Sequence, residues 1–247
     1  MKKGSILTVL LLVGAAAQLW ATPPASCDNV NLASILATAA PTFSCQIGDK
    51  VFSNFTYIDS ETGGAIAIPA SGVTVDTLGP AGSGADVVNA NIGLEFNSSW
   101  TAQTGQTNDA TIGFTVTVVG ASNLAIEDFG LAQISGVSVT GTALATVTEK
   151  GCGPTPCTPG PLAVLTFDNG TARTSQTVND TIFTPVSSVS VLKDIDINGG
   201  TSAGSFAGIS LVEDTFSQTA VPEPATMLLV GGVLCGIAAI RRRPVKS

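Results

Sequence analysis

Asp194-Ile195-Asp196-Ile197-Asn198-Gly199 comes nearest, by residue type and spacing, to a constellation that could do chemistry. Oxygen donors at alternate positions followed by glycine reproduce the first half of a calcium loop, in which acidic and amide oxygens wrap a hard cation. The second half departs from the pattern, because the twelfth place, where a bidentate glutamate is expected, holds Ser205. Asp194, Asp196 and Asn198 are therefore the calcium candidates. Their other reading is the solvent face of a strand that ends in an Asn-Gly turn. Asp76, Asp86, Glu127 and Asp128 are scattered, with no context that singles out a glycosidase acid and base. The chain has no histidine, which removes the usual general base, the usual activator of Ser or Cys and the commonest metal ligand. The expectation is a protein that is not an enzyme and needs no cofactor.

Cysteine usage points to structure. Of five cysteines, Cys235 lies in an apolar stretch near the C-terminus, and the other four form two local pairs. Cys27 with Cys45 would close a loop across a short helix expected near Leu32 to Ala39, capped by Asn31. Cys152 with Cys157 would staple a Gly- and Pro-rich hairpin or loop. A redox or zinc site at the second pair is the rival, but the spacing exceeds C-x-x-C and no histidine completes it. Structural disulfides in an oxidising compartment are the expectation.

The elements that must position these residues read as strands. Charged residues are 11% and aromatics 5% of the chain, and short alternating segments are punctuated by Gly, Asn, Asp and Pro. Ile112, Phe114, Val116 and Val118 share one face; further apolar strand segments are Val137 and Val139, later Leu144 and Val147, and then Val186, Val189 and Val191 running on to Ile195 and Ile197. This pattern predicts an all-β fold, an antiparallel β-sandwich. Gly79 to Gly84 and Gly199 to Gly208 read as loops or tight turns. Trp100 and Tyr57 read as packed core or rim residues rather than a sugar-stacking platform.

Charge is segregated. The net charge is −8, yet six of the ten basic residues are Lys2, Lys3, Arg241, Arg242, Arg243 and Lys246, leaving a net of about −14 between the ends. Such a domain repels a phosphate backbone, so no nucleic-acid partner is expected.

Both ends read as addresses. Lys2 and Lys3, the apolar run Ile6 to Ala17 and Leu19-Trp20-Ala21 make residues 1–21 a signal peptide cleaved before Thr22. Residues 22–219 are then the exported domain. At the other end, Val221-Pro222-Glu223-Pro224 precedes an apolar stretch from Ala225 to Ile240 and then Arg241-Arg242-Arg243. The prolines hold the backbone around Glu223 extended, as a protease would grip it. The apolar stretch is long enough for one transmembrane helix with some local thinning, and the arginines keep the last residues cytoplasmic.

This three-part order over residues 220–247 resembles the PEP-CTERM sorting signal of exopolysaccharide-producing bacteria. The resemblance implies exosortase as a processing partner that recognises Pro222-Glu223-Pro224, and residues that are acted upon rather than catalytic. Cys45 to Tyr57 and Val191 to Ile195 resemble segments that recur in the exported domains of such proteins. The implied protein is exported across the inner membrane as a membrane-anchored precursor and passes to the cell surface or the extracellular matrix. There it would be a non-enzymatic component associated with exopolysaccharide and biofilm. A carbohydrate- or calcium-dependent binding module is the alternative.

Overall fold

Alternation of apolar and polar residues becomes strand geometry in the computed structural model, which describes residues 25–38, 43–78, 92–119, 124–153, 163–170 and 179–221. Strand β1 (Val30–Asn31), helix α1 (Leu32–Ala37), β2 (Ser44–Ile47) and β3 (Lys50–Thr62) come first. A short 3-10 helix, Ala70–Gly72, leads to β4 (Thr74–Leu78), β5 (Ile92–Gln103), β6 (Thr107–Val118) and β7 (Leu124–Ser135). Then follow β8 (Ser138–Thr140), β9 (Leu144–Cys152), β10 (Ala163–Gly170), β11 (Asn179–Val186), β12 (Ser188–Asn198) and β13 (Phe206–Ala220).

The strands form two antiparallel sheets. One has the order β1-β4-β5-β13-β7-β11, with β8 beside β13; the other has the order β10-β9-β12-β6-β3-β2. They share one apolar core, as the sandwich expectation requires. Phe114 of β6 touches Phe96 of β5 and Phe216 of β13, and Phe52 of β3 also meets Phe216. Strand β12 shows how sequence sets the face: Val189, Val191, Ile195 and Ile197 are buried while Leu192, Asp194, Asp196 and Asn198 face out. The late strands β12 and β13 fill the middle of their sheets, so neither sheet closes until the C-terminal part of the domain is available.

Local rules account for the joints. Gly48, at φ 59°, opens the two-residue turn between β2 and β3 that the sequence marks. Asn54 takes φ 55° where the β3–β6 register slips between Ser53 and Thr56, a β-bulge. The expected cap on α1 is present, with the Asn31 side-chain oxygen accepting from the Ala33 N–H at 2.9 Å. Leu32 and Ile35 anchor the helix in the core.

Two expectations need correction. Leu144 faces out, because β9 buries Ala145, Val147 and Glu149 and so gives Leu144 the opposite parity. Gly199 to Gly208 is not all loop: β13 begins at Phe206, and Gly208 pairs with Thr101 and Ser138. The Gly79 to Gly84 tract, the signal peptide and the C-terminal apolar stretch lie outside the described residues. Among the described residues no helix is long and apolar enough to cross a membrane.

Cys27 and Cys45 are bonded, with Cα atoms 5.4 Å apart. The bridge ties the approach to β1 in one sheet to β2 in the other. Replacing both cysteines by serine is expected to destabilise the domain by about 2–3 kcal/mol, the entropy scale for a loop of this length. Urea unfolding of the oxidised wild type and the double variant measures it, and coincident midpoints would refute it. Cys152 is also disulfide-bonded; its expected partner Cys157 lies outside the described residues.

Candidate functional site

Strand register places polar side chains in rows on the outer faces. On the β12 sheet, Ser60, Asp109, Asp196 and Thr146 stand side by side across four strands. The next row holds Ile58, Thr111, Asp194 and Thr148. Asp194 and Asp196 thus lie on the solvent face, and the Asn198 side-chain oxygen accepts from the Gly200 N–H at 2.8 Å, shaping the turn. Among the described residues no group of three or more Cys, Asp or Glu side chains is close enough to hold a metal ion. Near these rows the bulge at Asn54 and the missing side chain of Gly113 leave a groove of about 440 Å³ edged by Thr56, Ser190 and Leu192.

The other sheet carries a second row, Asp76, Glu95 and Glu213 on β4, β5 and β13. The Asn97 side-chain amide donates to Asp76 at 3.1 Å and also to Glu95. Sequence separation hid this row: Asp76 read as isolated because its partners lie on strands far along the chain.

Burial and crowding raise pKa values in both rows. Desolvation, then hydrogen bonding and repulsion from Asp194, followed by the charges of Asp196 and Asp59, push Asp109 up to about 6. Burial, then the hydrogen bond and charge of Glu95, push Glu213 up to about 7. The ordinary values are 3.8 and 4.5, so the folded chain holds these protons more tightly than the unfolded chain does. Their contribution to stability is present below the unfolded values and is lost as pH rises through the folded ones. The melting temperature is expected to fall from about pH 4 to about pH 7. Glu213→Gln should flatten that slope and melt higher than wild type at the alkaline end; an unchanged slope would contradict the paired-carboxyl account.

Two clusters between the sheets went unread in the sequence. Lys50 is fully buried, with its Nζ 3.2 Å from Asp49 Oδ1 and 3.2 Å from Gln218 Oε1, and Gln218 Nε2 donates back to Asp49. Burial lowers the Lys50 pKa, and Asp49 opposes the shift. Lys193, Glu149 and Asp214, each fully buried, form the second cluster. Lys193 Nζ lies 2.9 Å from Glu149 Oε2 and pairs directly with Asp214 Oδ1. Glu149 is raised well above the usual carboxylate range, first by burial and then by the charge of Asp214. Burial acts to lower the Lys193 pKa, but Asp214 and Glu149 outweigh it and raise it. The available signal was parity: Lys193 shares the inward phase of Val191 and Ile195, and Glu149 that of Val147.

Trp100 is fully buried and Tyr57 is half-buried, its hydroxyl donating to the Ile68 carbonyl at 2.6 Å. Trp100 therefore offers no open ring face for a sugar. Of the sorting motif, Val221 is exposed immediately after the last paired residue, Ala220. Pro222, Glu223, Pro224, Arg241, Arg242 and Arg243 lie outside the described residues.

The class these features define is a two-sheet antiparallel β domain whose central strand β13 runs directly into a C-terminal address. Residues 220–243 match the PEP-CTERM protein-sorting motif. The motif supports an exported protein sorted by exosortase, and it implies a membrane-anchored precursor with exosortase as its processing partner. No curated protein matches the chain. A solved structure, the enzymatically active domain of tailspike protein 4 from bacteriophage CBA120, is 14% identical with a TM-score of 0.24, covering 66% of this chain and 19% of that one. The chain thus spans about a fifth of that structure, and so low a score carries no argument about fold or activity.

Proposed function

We propose that the mature domain is a non-enzymatic component of the cell surface or extracellular matrix, associated with exopolysaccharide after exosortase processing. The observation that carries this reading is the PEP-CTERM motif at residues 220–243, joined to β13 without a stem. Two features support the passive role. The chain has no histidine, and the outer faces present rows of hydroxyl and carboxylate groups suited to hydrated, hydroxyl-rich polymers. In this reading residues 1–21 are removed on export, the mature chain starts at Thr22, and residues 225–240 hold the precursor in the membrane.

Processing is tested with the full chain in its native host. Wild type is expected to lose its C-terminal segment and leave the membrane fraction, while a variant with alanine at Pro222, Glu223 and Pro224 keeps its tail and stays behind. Identical C-terminal peptides in the two would defeat the assignment. Co-sedimentation with the host's purified exopolysaccharide tests the association separately: a protein that is processed but remains in the supernatant overturns the matrix role and leaves the sorting intact. The calcium-dependent alternative rests on Asp109, Asp194 and Asp196 sharing one face. A rise in melting temperature at millimolar calcium would favour it, and no rise would remove it.

A further inference from the structure

The cluster formed by Lys193, Glu149 and Asp214 differs in kind from the one around Lys50. At Lys50 the amine, carboxylate and amide satisfy one another through hydrogen bonds. At Lys193 the charged groups meet only one another: Nζ contacts Glu149 Oε2 and Asp214 Oδ1, the two carboxyl groups share a hydrogen bond, and among the described residues no amide or hydroxyl reaches Glu149 Oε1 or Asp214 Oδ2. Unpartnered carboxylate oxygens in a dry interior are costly, and ion pairs seldom recover their full desolvation there. The jacket is apolar: Val191 and Ile195 flank the lysine, Val147 flanks the glutamate, and Val212 and Phe216 flank the aspartate. A nucleophilic nitrogen, the carboxylate it pairs with and a second carboxyl group are held together in a fully buried site.

We propose that Lys193 and Asp214 join through an intramolecular amide bond, with Glu149 as the catalytic acid. A proton passes from the Lys193 ammonium to the Asp214 carboxylate across their contact. The two carboxyl neighbours favour the ammonium at rest, and this transfer gives the neutral amine and neutral acid that the attack requires. The amine nitrogen attacks Cγ of Asp214, forming the N–C bond and placing negative charge on the former carbonyl oxygen. Glu149, kept protonated by its burial, donates to that oxygen and stabilises it. The C–OH bond then breaks, with the hydroxyl leaving as water on taking a proton relayed through Glu149 from the nitrogen. The balance is one ammonium plus one carboxylate giving one amide plus one water, and Glu149 ends as it began. No oxidant or cofactor enters.

Two physical terms favour this outcome. Direct contact between Lys193 Nζ and the Asp214 carboxylate turns a bimolecular condensation into an intramolecular one of high effective concentration. Condensation also replaces two buried charges by one neutral amide, relieving desolvation that the ion pair leaves unmet. The consequence is mechanical. Lys193 lies on β12 of one sheet and Asp214 on β13 of the other, and β13 leads into the sorting motif. A covalent bond there would carry load from the tail into the opposite sheet.

Mass spectrometry of the purified, reduced full chain tests this directly. The wild type is expected to weigh one water molecule less than the mass calculated for the termini it carries, and a proteolytic digest should contain a branched peptide linking Lys193 to Asp214. Glu149→Gln should leave most of the protein at full mass with the two peptides separate, and Asp214→Ala should abolish the branch. Folded wild type at full mass would overturn the proposal. So would a dehydrated form whose lost water maps elsewhere, such as to a succinimide.

Discussion

Lys193→Met is expected to destabilise the domain by about 3–5 kcal/mol, the cost of leaving a buried charge without its partner. The lysine is fully buried, and among the described residues the charged groups that act on it are Asp214 and Glu149. Methionine fills similar volume, so packing contributes little and the loss isolates the charge. The control is a triple variant in which Glu149 and Asp214 also become apolar residues of matching size. It should recover much of the lost stability, because no unpaired carboxyl is then trapped in the core. Chemical denaturation with matched m-values is the measurement. A single variant as stable as wild type would mean that the cluster is hydrated or open. A cross-link between Lys193 and Asp214 would add its own loss to this figure.

Phe114→Ala should cost a comparable amount, about 3–5 kcal/mol, for a different reason. Phe114 is 2% exposed and its ring lies 5.9 to 6.1 Å from those of Phe52, Phe55, Phe96 and Phe216. It is the residue through which β3, β5, β6 and β13 meet, so its removal opens a cavity bordered by both sheets and not easily closed by one of them. Phe114→Leu should recover more than half of the loss by restoring volume. Unfolding midpoints of the two variants decide the matter; equal destabilisation by Ala and Leu would show that ring geometry dominates over volume.

The alternation Ile112, Phe114, Val116 was legible because a strand with one buried face has period two, and the structure buries all three. The Asn31 cap and the Gly48 turn were legible because each depends on neighbours only a few residues away. Leu144 was misassigned for want of its register: hydrophobicity alone put it inward, whereas the parity of Ala145 and Val147 turned it out. The carboxylate row Asp76, Glu95 and Glu213 could not be read at all, since three strands far apart in sequence bring it together. The burial of Lys193 and Lys50 went unread because residue type was weighed before parity.

By itself the sequence determined the sorting address and the all-β class, and it offered Cys27 with Cys45 as a candidate pair that the fold then brought together. These depend on composition, period and order along the chain, which are one-dimensional properties. Only the tertiary structure decided which polar groups meet. Placing Lys193 of β12 against Asp214 of β13 requires two sheets to close on each other, and that encounter belongs to the packing of strands rather than to any local pattern.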